Sequence, residues 1–92
     1  MFYLLCRNRV ADFAKWKKVF DSNQGEHRGA GLYLVHFWRE LDDPNNIFYV
    51  FQVSNIDTAK AFINAPEGKK ADKTAGVIDS EVHFLENNIS NF

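Results

Sequence analysis

Residues 32–53 hold two strand-like runs that are apolar on both sides, and that surplus of oily strand surface constrains the fold more than any other feature. Residues 32–40 (LYLVHFWRE) and 47–53 (IFYVFQV) are rich in β-branched and aromatic side chains, and Leu41-Asp42-Asp43-Pro44-Asn45-Asn46 between them carries turn chemistry. Pro44 suits the first central position of a turn because its φ is preset, and Asp43 can bond back to the backbone. A regular ladder with Leu41 opposite Asn46 puts Leu34, His36 and Trp38 on one face beside Tyr49, Phe51 and Val53. The other face then carries Val35 and Phe37 beside Phe48 and Val50, with Gln52 as the polar exception. A sheet with helices on one side and water on the other alternates apolar with polar residues, and this hairpin does not.

The flanking segments supply the remaining elements. Residues 2–9 (FYLLCRNR) read as a buried first strand that turns polar at its end. Helical spacing begins at Asp12, a candidate N-cap, and sets Phe13, Trp16 and Phe20 on one stripe. Gly25 reads as the stop, and residues 25–31, with three glycines, as a loop. Ser54-Asn55-Ile56-Asp57 has the spacing of a capping box ahead of a second helix bearing Ala59, Phe62 and Ile63. Pro66 opens a further short helical stretch that Gly76 ends. Residues 81–86 (EVHFLE) read as a fourth strand, and residues 87–92 as a loose or partner-dependent tail. The order is β-α-β-β-α-β, with all 92 residues in one domain.

Two short helices cover one face of such a sheet. The other face, left bare, would be a larger apolar patch than a soluble monomer usually carries, so the pattern predicts a homodimer paired sheet to sheet.

Composition narrows the function classes. A net charge of -1 gives no basic face for nucleic acid, since the runs Lys15, Lys17, Lys18 and Lys69, Lys70, Lys73 are balanced by acids. No segment approaches the roughly 20 apolar residues of a membrane span, and the single Cys6 permits no intrachain disulfide, so the cytoplasm is the expected compartment. The 15% aromatic content supplies both core and pocket walls.

Residues 42–45 (DDPN), 47–51 (IFYVF) and 56–62 (IDTAKAF), with Phe13 and Trp16-Lys17 in the first helix, resemble the hairpin turn, strand and helices of the dimeric α+β barrel superfamily. Within it the chain resembles the small antibiotic-biosynthesis-monooxygenase-like and cyclase-like domains. That resemblance implies an α+β fold, a ferredoxin-like βαββαβ antiparallel sheet with helices on one face that forms a dimeric barrel. It also implies a pocket between sheet and helices and, in some members, oxidation or rearrangement of aromatic substrates with no cofactor. One branch degrades haem with an Asn at the end of the first strand, an aromatic residue and a helical His. Asn8 matches the first of these, and residues 56–75 contain no His.

The candidate catalytic residues are His36 and His83, each in the middle of a strand and each either a proton acceptor or a bonded interior residue. The candidate ligand-binding residues are Asn8, Trp16, Trp38 and Tyr49, where aromatic rings stack on a flat hydrophobic small molecule or simply fill the core. His27, between Glu26 and Arg28, reads as a solvent-facing loop residue. The three histidines lie on separate segments without ligand spacing, so no metal site is expected. Cys6 reads as inert, and no serine has a nucleophile setting. Two function classes remain: a cofactor-free monooxygenase-like or cyclase-like enzyme, and a non-catalytic small-molecule-binding or dimerisation module.

Overall fold

The computed structural model describes residues 1–88. Its elements run β1 (Phe2–Val10), α1 (Phe13–Ser22), α2 (Gln24–Gly29), β2 (Leu32–Arg39), β3 (Asn46–Val53), α3 (Ile56–Asn64), α4 (Pro66–Ala75) and β4 (Val77–Glu86). The four strands form one antiparallel sheet in the order β2-β3-β1-β4. This is a ferredoxin-like α+β fold in which the second helical region divides at Pro66 as expected and an additional short helix follows the first.

The helix ends follow local chemistry. Asp12 caps α1, its carboxylate accepting from the Lys15 backbone N–H at 3.3 Å. The cap of α3 is Asn55, whose Oδ1 accepts from the Thr58 N–H at 3.0 Å, and not Ser54, the expected capping-box residue. Pro66 stands at the start of α4, and Gly76 ends it with φ 79°.

Residues 25–31 depart from the expected loop, since most of them are the short helix α2. Their glycines disfavour a helix, but tertiary packing outweighs that cost. The His27 ring is held against Phe51 at 5.0 Å, Phe20 at 5.5 Å and Phe62 at 5.5 Å between ring centroids. His27 is therefore half-buried, packed against core rings on one side, and not a solvent-facing loop residue.

The hairpin turn is as expected: the Asn46 N–H donates to the Asp43 carbonyl at 2.9 Å, and the Asp43 side chain accepts from the Asn45 N–H at 3.2 Å. Its register differs by one position from the regular ladder, because Arg39 pairs with Ile47, and a β-bulge falls between Leu34 and His36. A one-residue slip exchanges the two faces of a strand. Phe37 consequently pairs with Tyr49 on the helical side, while His36 and Trp38 pair with Val50 and Phe48 on the other face. The bulge returns Leu34 to the partner expected to share its face, Phe51. The expectation that His36 and Trp38 share a face with Tyr49 is thereby overturned.

β4 begins at Val77, earlier than the apolar run implies, because the polar residues Asp79 and Glu81 pair with Arg9 and Arg7 of β1. The Arg7 guanidinium lies 2.7 Å from the Asp79 carboxylate and 3.1 Å from that of Glu81. The Asn87 N–H donates to the Met1 carbonyl at 3.1 Å, so the chain beyond β4 starts out paired. Residues 89–92 of the expected tail lie outside the described residues.

The core lies between sheet and helices, where Leu4, Cys6, Val10, Leu32, Ile47, Tyr49, Phe51 and Val53 meet Trp16, Phe20, Ala59 and Ala75. The opposite face is bare, and it exposes Tyr33 and Trp38 of β2 and Leu85 of β4 to 46%, 49% and 46%. Among the described residues, no helix is long and apolar enough to cross a membrane.

Candidate functional site

A cavity of about 650 Å³ opens between the sheet and the helices. The strands supply its floor: Cys6 and Asn8 from β1, Tyr49 and Phe51 from β3, and Ser80 and Val82 from β4. Alternation along a strand explains that set, since side chains two apart share a face. Glu26 and His27 come from α2, Phe62 and Ile63 from α3, and Glu67, Lys69 and Asp72 from α4. The volume falls within the range of small-molecule sites, and the mixture of aromatic walls with a few polar groups is typical of them.

The floor carries a buried polar pair. Asn8 Nδ2 donates to the Tyr49 hydroxyl oxygen at 3.0 Å, and the two residues are 5% and 9% exposed. Burial pushes the Tyr49 hydroxyl well above its ordinary range, with the nearby Cys6 and Asp72 adding to the effect. The Cys6 thiol is pushed up to about 12, chiefly by burial, against a smaller opposing effect of the Tyr49 hydroxyl. Neither group ionises near neutral pH, so the floor offers hydrogen bonds and no charge.

The helical wall is different. Asp72, an exposed residue of α4 that lines the cavity, has its carboxyl raised by partial loss of solvent. Burial pulls the His27 imidazole below its ordinary range, and its Nδ1 is sealed from solvent with no hydrogen-bond partner. A carboxylate made more basic by burial can take a proton, whereas a neutral imidazole among phenyl rings can only give or accept a hydrogen bond.

Of the sequence candidates, the structure brings Asn8 and Tyr49 together in the cavity. Trp16 lies just behind it, 2% exposed, stacked on Phe20 at 4.7 Å and 5.8 Å from Tyr49, where it bounds a side hollow of about 60 Å³. Trp38, His36 and His83 are not among the residues that line the cavity. Trp38 and His36 stack on one another at 5.0 Å on the bare face, and His83 lies there too, 3.6 Å from Glu81. Sequence reasoning missed His27 and Asp72. The helical spacing of α4 with Ala75 held a signal for Asp72, since a residue three positions before a buried alanine shares its face. Among the described residues, no group of three or more His, Cys, Asp or Glu side chains is placed to hold a metal.

No family model matches the chain, and no curated protein does. Solved structures do. A proposed antibiotic biosynthesis monooxygenase from Bordetella bronchiseptica superimposes with a TM-score of 0.76 at 14% identity, covering 96% of this chain and 97% of the other. An asparagine-to-alanine variant of SnoaB, a cofactor-independent oxygenase from Streptomyces nogalater, gives 0.75 at 16% identity over 97% and 94% of the two chains. A conserved protein from Methanosarcina mazei gives 0.73 at 12% identity over 95% and 92%. The chain thus has the α+β fold of the antibiotic-biosynthesis-monooxygenase-like proteins. At these identities the likeness is one of fold.

Proposed function

We propose that this protein is a cofactor-free monooxygenase-like enzyme that takes a flat hydrophobic aromatic molecule into the cavity, working as a homodimer in the cytoplasm. The observation that carries the reading is the cavity itself: aromatic walls, the Asn8–Tyr49 pair on its floor and the Asp72 carboxyl above it. The SnoaB neighbour, a cofactor-independent oxygenase, supports it.

In this reading Phe51, Phe62 and Tyr49 hold the ring system, and Asp72 takes a proton from an activated carbon or phenol of the substrate. The electron-rich anion so formed reduces oxygen directly. For a methylene between two aromatic rings, as in anthrone, CH2 and O2 become C=O and H2O: one oxygen atom enters the product and the other leaves with the two hydrogens. His36 and His83 take no part in this chemistry; they belong with Trp38, Tyr33 and Leu85 to the face that pairs with a second copy.

Oxygen uptake in the presence of anthrone tests the proposal. Wild-type protein is expected to accelerate uptake above buffer, and Asp72→Asn to abolish the acceleration. Uptake at the buffer rate with wild-type protein sinks it. The second reading is a carrier without turnover, and the observation that speaks for it is that Asn8 and Tyr49 already satisfy each other on the cavity floor. Anthrone binding without oxygen consumption would establish that reading in its place.

A further inference from the structure

We infer that His27 presents its Nε2–H to the cavity as a hydrogen-bond donor for an uncharged carbonyl oxygen, so that the site selects flat ketones or quinones over hydrocarbons of the same shape. The inference rests on the cavity-binding reading above and names its ligand class.

The geometry points to one tautomer. The ring is wedged among Phe20, Phe51 and Phe62, and Nδ1 is a sealed side-chain polar atom with no partner. A proton on Nδ1 would strand an N–H donor among phenyl rings, and orphaned buried donors are rarer than under-satisfied acceptors. Protonating both nitrogens would place a cation there, which the depressed basicity of the ring also opposes. The proton therefore sits on Nε2, the other ring nitrogen of a residue that lines the cavity.

The surroundings decide what this donor meets. The Tyr49 hydroxyl accepts from Asn8 and shares a further side-chain hydrogen bond with the Cys6 thiol, so the floor's donors are already engaged with one another and compete weakly for a ligand's acceptor. Glu26 on the same helix and Glu67 and Asp72 on α4 outnumber Lys69 around the cavity, which disfavours an anionic ligand. An uncharged oxygen acceptor on an aromatic frame meets the donor without opposing those carboxylates. If the ligand is also the substrate, the same N–H would stabilise the negative charge that builds on the carbonyl oxygen it holds once Asp72 has taken a proton.

A matched pair of probes, 1-indanone and indane, tests this, with binding followed by NMR on uniformly ¹⁵N-labelled protein. Long-range proton–nitrogen correlations in the free protein are expected to show a neutral His27 with its proton on Nε2. Wild-type protein is expected to prefer the ketone by roughly five- to tenfold, the worth of one buried neutral hydrogen bond. His27→Phe should lose that preference while still binding indane, and His27→Gln, which keeps an N–H, should retain part of it. A proton on Nδ1, or equal binding of the two probes to wild-type protein, overturns the inference and leaves the cavity reading standing. Loss of indane binding in His27→Phe overturns it as well, since the ring would then serve packing alone. Failure of wild-type protein to bind either probe overturns both.

Discussion

The Asn8 side-chain amide donates to the Tyr49 hydroxyl across 3.0 Å, joining β1 to β3 beneath the helices. Both residues are nearly sealed from water, so the bond satisfies polar groups that would otherwise be stranded in an apolar layer. Tyr49→Phe leaves the Asn8 amide without a partner and is expected to cost about 1–3 kcal/mol in urea unfolding. Replacing Asn8 with Leu in the same chain should recover part of the loss. A single-variant midpoint equal to wild type would contradict the assignment.

Asp72 should trade stability for function. Its carboxyl is raised above the ordinary value of 3.8 by burial, so the folded state holds the proton more tightly than the unfolded chain does. Stability then falls as pH rises through the range just above that value, because the unfolded chain ionises first. Asp72→Asn has no charge to bury, so it should be the more stable protein at pH 7 and lose the difference near pH 3. Denaturant melts of both proteins at the two pH values check the sign.

Gly31 is expected to be irreplaceable by alanine. Its φ is +79°, and an added Cβ would stand 2.5 Å from Ser54 Oγ. The Gly31 carbonyl also accepts from the Ser54 N–H at 2.9 Å, which fixes the entry to β2 against the end of β3. Gly31→Ala should destabilise by about 1 kcal/mol or more through the left-handed backbone alone. An unchanged thermal midpoint would refute this.

Trp38 should govern self-association. It is 49% exposed and stacks on His36 on the sheet face away from the helices. Trp38→Glu places a charge where the paired sheets would meet, and sedimentation at low micromolar concentration should then show monomers, against dimers for wild type. Monomers for both proteins would remove the basis for a paired sheet.

Local chemistry in the sequence determined where most elements begin and end. Asp12 and Pro66 open helices, Gly76 closes one, and Asp43 with Pro44 makes the hairpin turn, because caps and turns depend on neighbouring residues only. The double-sided apolarity of residues 32–53 likewise foretold a bare sheet face, whereas the register of β1 on β3 that brings Asn8 to Tyr49 came only with the tertiary structure. The tertiary structure alone decided which β2 side chains face the helices. A bulge at Val35 and a one-position shift at the turn send Phe37 inward and His36 and Trp38 outward, and strand periodicity carries no mark of either. It alone also folded the glycine-rich residues 25–31 into α2, since contacts from Phe20, Phe51 and Phe62, distant in sequence, hold His27 where local propensity would leave a loop. His27 and Asp72 line the cavity, and the strand histidines His36 and His83 do not, for that reason: a cavity is made by long-range packing, and its lining is known only once the layers have met.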